Sequence, residues 1–161
     1  MQDIYNPDNF APYLYNAPET GRISLPFMLH ANRMGCGCEE SFFCVHREAD
    51  YPYFTVHFLF DGCGFFHIGG KDYLLKKGDA FIITAGNAHT YSNHSGDPLG
   101  LIWIELAIPG QQELSGYFKR NHIHTIDAAH TQKPLSQLIS IMKTRKAAPE
   151  MDDFTLSKMY Y

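Results

Sequence analysis

The sequence predicts an all-β domain of short antiparallel strands followed by helices, and three observations support this prediction. Turn signals recur at intervals of about eight to ten residues between 61 and 98, which is typical of a barrel or sandwich of short strands. The 12 Phe and 10 Tyr favour strands, and the 13 Gly and 9 Pro favour the turns between them. After residue 130 the apolar side chains change to helical spacing.

The turn signals divide the chain into predicted strands. Asp61-Gly62 is a dipeptide favoured in two-residue hairpin turns, and it is predicted to separate two strands. Further turn signals stand at 69–70, 77–78, 85–86 and 95–98. More strands are expected before residue 50. The predicted strands after it span residues 53–60, 64–68, 72–76, 79–84, 88–94, 100–108 and 122–126.

The C-terminal part is predicted to contain two helices. Pro134 suits the first position of the earlier helix, and "APE" at 148–150 ends it. The helical spacing is carried by Leu135, Leu138, Ile139 and Met142. "DDFTLSKMYY" begins another helix with acidic residues in its first turn. That helix has no terminating signal, so the chain is expected to continue beyond residue 161.

Two predicted strands have faces of different chemistry. Successive side chains of a strand point to opposite sides. In residues 53–60 and 101–108 the even positions are all apolar, whereas the odd positions include His57, Trp103 and Glu105. The apolar face is predicted to lie under the C-terminal helices. The mixed face is predicted to line a small-molecule pocket, with a solvent-exposed face as the alternative.

Composition excludes several partners. The formal charge is −4 with no basic block, whereas a domain that binds DNA by itself is more basic. The N-terminus lacks the apolar segment of a signal peptide, and no run approaches the ~18 apolar residues of a membrane span. The chain is therefore predicted to be cytoplasmic, without a membrane partner, and its four cysteines to be reduced thiols.

The stretch "GDAFIITAGNAHTYSN" at residues 78–93 resembles the second sequence motif of the cupin superfamily. Gly78, Gly86, His89 and Asn93 stand in register with that motif, and Thr84 replaces its proline. His89, Tyr91 and Asn93 also share one strand parity, so they are predicted to face one cavity.

The first motif of metal-binding cupins is not matched. Counting back from Gly62, the position of its glutamate falls on Thr55. The positions of its two histidines fall on Glu48 and Asp50, or on Ala49 and Tyr51 with the shorter spacing. One remaining histidine does not make a stable metal site. The resemblance therefore predicts no metal and no cofactor, and His89 is predicted to serve another purpose.

A longer ordered set of motifs resembles the N-terminal regulatory domain of AraC-type transcription regulators. It comprises Arg47, "DYPYFTVHFLFDGCG", "GGKDYLLKKGDAFIITAGNAHTY" and "DPLGLIWIEL", and it covers residues 35–108. Leu99 and Leu106 replace the usual Trp and Phe. The resemblance implies a double-stranded β-helix of the cupin type that binds a small effector, with helices that dimerise.

The resemblance also implies an organisation of the chain. Residues 1–30 would form an N-terminal arm and the first strands, 31–127 the effector-binding barrel, and 128–161 the helical dimerisation segment. The DNA-binding helix-turn-helix domain of the family would follow residue 161. DNA is thus expected as a partner only through that domain, and a second copy of the chain through the helices.

The family's arabinose-responsive member implies four ligand-binding residues, namely Arg47, His89, Tyr91 and Trp103. These residue types suit a sugar. An indole covers an apolar sugar face, a guanidinium spans two hydroxyls, and neutral His and Tyr donate and accept hydrogen bonds. Arg47 could instead form a surface ion pair with nearby acids.

Strand alternation adds Glu105 and His57 to the predicted ligand-binding set, because they share faces with other pocket residues. His57 could also simply fill the core. Leu101 stands where the arabinose-responsive member has a second histidine, so the effector is expected to be recognised differently. The set contains no nucleophile paired with a base, and no catalytic residues are predicted.

Three alternatives remain at this point. Cys36, Cys38, Cys44 and His46 lie within eleven residues and could bind zinc, although buried strand cysteines are the ordinary explanation. The domain could be a small metal-dependent cupin enzyme with an unusual site. It could also be a dimerisation module whose pocket is vestigial.

Overall fold

The computed structural model of the chain describes residues 13–16, 30–39, 41–94, 96–107, 113, 116–117, 125–126 and 128–147. These residues form strands β1 to β9 and one long helix, α1. The strands are β1 (Tyr13–Asn16), β2 (His30–Glu39), β3 (Cys44–Arg47), β4 (Phe54–Ile68), β5 (Lys71–Lys76), β6 (Ala80–Ile83), β7 (His89–Asn93), β8 (Leu99–Ala107) and β9 (Thr125–Ile126), and the helix is α1 (Ala128–Ala147).

Two antiparallel sheets share strand β4 and enclose the interior of the barrel. The first sheet has the order β1-β2-β8-β4-β6-β9, and in it β4 contributes residues 54–62. In the second sheet, residues 63–68 of β4 lie between β5 and β7, and β7 also pairs with β3. The predicted fold class is confirmed: the protein is an all-β barrel of the cupin type with a C-terminal helix.

The predicted turn at Asp61-Gly62 is wrong, because β4 continues through it. Gly62 has a φ of +72°, and the register against β8 shifts between Leu59 and Asp61. A Cβ atom at position 62 would lie 1.8 Å from the carbonyl oxygen of Pro98. The glycine thus permits a bulge and a close backbone contact where β4 passes from one sheet to the other. The other turn signals lie between strands as predicted.

Helix α1 begins at Ala128, six residues before Pro134, so the proline is not the first helical position as predicted. A proline inside a helix removes one backbone hydrogen bond, and the packing of the apolar side against the sheet outweighs that loss. The helix ends at Ala147, directly before "APE", as predicted. The second predicted helix lies outside the described residues. Within them, no helix combines the length and the apolar character that crossing a membrane requires.

The predicted difference between the two strand faces is confirmed. Even-numbered side chains of β4 and β8 pack with the apolar side of α1 in one core. Its members from these three elements are Phe58, Phe60, Ile102, Ile104, Leu135, Leu138, Ile139, Ile141 and Met142. A second core fills the barrel interior between the sheets and includes Leu59, Phe66, Phe81 and Leu101.

Candidate functional site

A cavity of about 110 Å³ opens on the odd-numbered face of β4 and β8. It is several times the space that one buried water needs. All six residues predicted for the site line it, namely Arg47, His57, His89, Tyr91, Trp103 and Glu105. The lining is completed by five residues that were not predicted to bind ligand: Arg33, Val45, Tyr51, Thr55 and Ile83.

The strand register brings the polar residues of the first sheet together. Thr55 and His57 of β4 lie directly opposite Glu105 and Trp103 of β8. Opposite residues of an antiparallel pair share a face and have neighbouring side chains. The two strands therefore supply one wall of the cavity, with Trp103 partly exposed and the other three side chains buried.

The second sheet supplies the opposite wall through β3 and β7. Arg47 lies opposite His89 in their register. The Arg47 guanidinium is 5.9 Å from the centre of the Tyr51 ring, which is within the range of a cation–π contact. No ion pair joins Arg47 to Glu48 or Asp50 among the described residues. Its charge is thus presented beside the cavity.

A hydrogen-bond network surrounds the buried carboxylate of Glu105. Its Oε1 accepts hydrogen bonds from Asn32 Nδ2 and from Arg33 Nε, the latter at 3.2 Å. Its Oε2 accepts one from the Tyr51 hydroxyl at 2.6 Å. Burial, and then Glu105, raise the pKa of Tyr51 well above its ordinary value, so Tyr51 remains a donor. The carboxylate is therefore held by the protein, and of its roughly four acceptor sites one is left for a further donor.

An aromatic wall surrounds His57. Its ring stacks on Phe81 with centroids 4.4 Å apart and an interplanar angle of 3°. Tyr91 and Trp103 lie at tilted angles, with centroids 5.2 Å and 6.5 Å away. Burial, and to a smaller extent His89, lower the pKa of His57 to about 3. His57 is therefore a neutral imidazole at physiological pH.

Two buried polar atoms of the cavity lining are unpartnered. In the described part of the chain, neither Thr55 Oγ1 nor His57 Nδ1 has a hydrogen-bond partner. Buried polar groups are almost always hydrogen-bonded, and leaving one unpaired costs about 1–3 kcal/mol. Both residues line the same cavity, so a ligand that carries hydroxyl groups could satisfy both.

His89 and Tyr91 offer neutral hydrogen-bonding groups from β7. His89 Nδ1 lies 2.8 Å from the carbonyl oxygen of Asn87. Because a carbonyl only accepts, Nδ1 carries the proton and Nε2 is left as an acceptor. Burial lowers the pKa of His89 and raises that of Tyr91 to about 12. Both side chains are therefore uncharged near pH 7.

Asn93 shares the parity of His89 but does not line the cavity, so that prediction is wrong. Its Oδ1 accepts from the Phe43 amide at 2.9 Å, and its Nδ2 donates to the carbonyls of Ser41 at 2.7 Å and Asp97 at 3.2 Å. Asn93 is the last residue of β7, so its side-chain amide lies close to the neighbouring loops and forms hydrogen bonds with them. Asn93 thus stabilises the segment that follows β7.

The structure contradicts the possible zinc site formed by Cys36, Cys38, Cys44 and His46. Cys36 packs in the core below α1, whereas Cys38 and Cys44 are exposed. Among the described residues, the one group of three ligating side chains with donor atoms within 4.8 Å of one another lies elsewhere. Cys36 and Cys38 share one face of β2, but only Cys36 is buried there, and Cys44 lies on β3 in the other sheet.

The unpredicted residues Arg33 and Tyr51 complete the Glu105 network. Arg33 lies opposite Glu105 because β2 pairs with β8, and no local pattern in the sequence gives that register. Tyr51 precedes β4, in the motif that begins at Asp50, but nothing in that motif marked its hydroxyl as a partner of Glu105. Thr55 belonged to the mixed face, but nothing in the sequence marked its hydroxyl as unpartnered.

One family model that matches the chain is informative about its class. A family model described as the AraC-like ligand binding domain matches residues 44–157, which is more than two thirds of the chain. No curated protein matches the sequence significantly.

Solved structures provide distant similarities. The YhaK protein from Escherichia coli is 16% identical over 61% of this chain and 45% of its own, with a TM-score of 0.49. The EutQ protein of Clostridium difficile is 21% identical over 45% of this chain and 55% of its own, with a TM-score of 0.34. The chain thus spans about half the length of these two. The cupin domain of Cnp3 from Schizosaccharomyces pombe is 12% identical over 70% and 66%, with a TM-score of 0.46. At these values the similarities say nothing about function.

Proposed function

Because the chain belongs to the family of AraC-like ligand-binding domains, we propose that it senses a small polyhydroxylated effector, a sugar or sugar derivative, for a bacterial transcription regulator. The observation that carries this proposal is the lining of the cavity. It combines an aromatic wall with two unpartnered buried polar atoms, Thr55 Oγ1 and His57 Nδ1.

Each part of the lining matches one feature of a sugar. The Trp103 ring suits the apolar C–H face of a sugar ring. Thr55 Oγ1, His57 Nδ1 and the neutral His89 can donate to or accept from its hydroxyls. The Arg47 guanidinium offers forked donors to two adjacent oxygens. The size of the cavity, about 110 Å³, favours a molecule of about one sugar ring.

The same lining favours binding over catalysis. A catalytic site needs a nucleophile or a general base aimed at the reacting atom. Here Glu105 is held by protein donors, and His57, with its pKa of about 3, is a weak base. We therefore propose that the domain is not an enzyme and that it acts without a cofactor. A metal-dependent enzyme and a module with a vestigial pocket are the outcomes that the experiment below must exclude.

The remaining organisation follows the family. In this proposal residues 31–127 form the sensing barrel, 1–30 an arm next to it, and 128–161 the segment through which two copies associate. DNA is contacted in the cytoplasm through a helix-turn-helix domain after residue 161. The effector needs only to bind one arrangement of the regulator better than the other. A tenfold preference shifts that balance by about 1.4 kcal/mol.

The experiment is thermal unfolding of the purified domain against a panel of neutral sugars, sugar acids and polyols. A ligand that binds the native state raises the midpoint, and at a hundred times its Kd it contributes about 2.7 kcal/mol. Arg47→Ala and Trp103→Ala should weaken the binding of the active sugar by about one to two powers of ten. Leu74→Ala, an exposed residue of β5 away from the cavity, is the matched control and should leave the affinity unchanged.

Three results would contradict the proposal. If no member of the panel stabilises the protein, the pocket is vestigial. If stabilisation survives both cavity substitutions, the ligand binds elsewhere. If the protein purifies with a bound metal and turns over a substrate, the domain is an enzyme.

A further inference from the structure

A second polar cluster lies outside the effector cavity, where β4 passes from one sheet to the other. It consists of Cys63, His94 and Asp97. Cys63 follows the bulge at Gly62, His94 follows β7, and Asp97 lies two residues before β8. None of the three lines the cavity, so the cluster is independent of the proposed sensing function.

Backbone hydrogen bonds fix the three residues relative to one another. The Cys63 amide donates to the Pro98 carbonyl at 3.2 Å, and the His94 amide donates to the Cys63 carbonyl at 3.3 Å. The Asp97 amide donates to the His94 carbonyl at 3.0 Å, and Asn93 Nδ2 donates to the Asp97 carbonyl. The three side chains therefore start from a rigid frame, which lowers the entropy cost of gathering them around a ligand.

The side-chain donor atoms converge on one carboxylate oxygen. Cys63 Sγ lies 3.2 Å from Asp97 Oδ2, and His94 Nδ1 lies 3.2 Å from the same oxygen. All three donor atoms are within 4.8 Å of one another. Ligand atoms around a tetrahedral zinc ion, at bond lengths of about 2.0–2.3 Å, lie about 3.3–3.5 Å apart. Small side-chain rotations would thus bring this set to zinc geometry.

We propose that Cys63, His94 and Asp97 bind a transition-metal ion of the Zn²⁺ class, with the fourth position of the tetrahedron left for water. The donor set decides the class of ion. A thiolate with an imidazole is too soft for Mg²⁺ or Ca²⁺, which prefer oxygen ligands. On binding, the Cys63 thiol loses its proton to solvent and the sulfur forms the bond to the metal.

The metal would tie together two segments that already contact each other through hydrogen bonds and through the rings of Phe65 and His94. It would join the middle of β4 to the residues that connect β7 with β8. Because the ion binds the folded arrangement, it would stabilise the domain by mass action. The competing explanation is a plain hydrogen-bonded cluster, in which Asp97 accepts from the thiol and the imidazole and no metal binds.

The test is a titration of the reduced, metal-stripped domain with Co²⁺, followed by displacement with Zn²⁺. Co²⁺ bound to a thiolate gives a charge-transfer absorption in the near ultraviolet. We expect this band to saturate at about one equivalent, to disappear when Zn²⁺ is added, and to be absent in Cys63→Ser. Cys44→Ser, which removes an exposed cysteine of β3, is the matched control and should keep the band.

His94→Gln and Asp97→Asn provide an independent measurement if Cys63→Ser fails to fold. Each should keep a thiolate band but weaken Co²⁺ binding at least tenfold, because even outer partners of metal ligands contribute about 10–100-fold. The proposal is overturned if the wild-type protein shows no band, if the band survives in Cys63→Ser, or if neither His94→Gln nor Asp97→Asn weakens binding. A loss of the band in Cys44→Ser would also overturn it, because the metal would then lie near β3.

Discussion

The two faces of strands β4 and β8 have opposite chemistry, although they alternate residue by residue along the same backbone. The even-numbered face packs against α1 and is apolar throughout. The odd-numbered face carries Thr55, His57 and Glu105, which are among the few buried polar residues of the described chain. Side chains that stabilise the fold and side chains that line the cavity thus point to opposite sides of the same strands, and they alternate along the sequence.

This separation has an energetic consequence. Apolar area removed from water contributes about 25 cal/mol per Å², so the helix-covered face stabilises the fold. A buried polar group without a partner costs free energy instead, and the cavity face has two such atoms. The apolar burial of the helix-covered face must therefore offset the free-energy cost of the two unpartnered atoms on the cavity face until a ligand binds.

The largest effect is expected on the helix-covered face. Leu135 of α1 is fully buried in the core between the helix and the sheet. Leu135→Ala removes that packing and leaves a cavity, which should lower the free energy of unfolding by about 2–5 kcal/mol. Urea unfolding measures this loss. The midpoint shift caused by a saturating ligand should persist, and a loss of ligand affinity equal to that of Trp103→Ala would show that the faces are not separate.

The next effect concerns the pH dependence set by His57 on the cavity face. Its pKa is about 3 in the folded protein, against about 6.5 for an unperturbed histidine. Between these values the unfolded chain binds a proton that the folded chain does not. The stability that His57 contributes is therefore complete above about pH 6.5 and is lost as the pH falls toward 3, by up to ~1.4 kcal/mol per pH unit.

Urea unfolding at pH 7.5 and pH 4.5 measures this loss in the wild-type protein and in His57→Gln. The variant should lose less stability over that interval, because one titrating group has been removed. Equal losses in the two proteins would mean that His57 is protonated, or open to solvent, in the folded state. His57 would then not be the buried neutral group of the cavity face that its surroundings indicate.

A smaller effect is expected from the Glu105 network. Glu105→Gln keeps the shape of the side chain but removes the charge that Arg33, Asn32 and Tyr51 surround. Hydrogen bonds to charged groups contribute about 1.5–3 kcal/mol. The Arg33 side chain is 43% exposed, so water compensates part of the loss, and we expect a cost of about 1–2 kcal/mol by urea unfolding. An unchanged stability would indicate that the network orders the cavity without stabilising the fold.

The alternation of side chains between the two faces of β4 and β8 could be predicted from the sequence, because it depends only on residues that are close together in the chain. It was not sufficient for the bulge at Gly62, where Asp61-Gly62 has the composition of a turn. Whether the strand turns there depends on its contact with Pro98, far along the chain. The start of α1 was also misplaced, because a proline that suits the first helical position does not show that the helix begins there, and α1 begins six residues earlier, at Ala128.

The cavity shows a similar limit. Four of the six predicted residues came from the family pattern and two, His57 and Glu105, from strand alternation, and all six line the cavity. Arg33 was missed because its position opposite Glu105 depends on the pairing of β2 with β8. Asn93 was assigned to the cavity by parity alone, and at the end of β7 its amide bonds the loops instead.

The smallest effect on stability is expected at Thr55, and it distinguishes the two kinds of buried polar residue most directly. Thr55 Oγ1 is unpartnered among the described residues, whereas the equally buried Thr84 accepts a hydrogen bond from Asn87 at Oγ1. Thr55→Val should therefore change the free energy of unfolding by less than about 0.5 kcal/mol, or raise it, while Thr84→Val should lower it by about 1–3 kcal/mol. Ligand binding should show the reverse order, because a hydroxyl kept for an effector reduces the stability of the free protein. The opposite result would be that Thr55→Val destabilises the protein as much as Thr84→Val and leaves the affinity for the active sugar unchanged. The Thr55 hydroxyl would then be structural, and the polar residues of the cavity face would not differ in role from those elsewhere in the core.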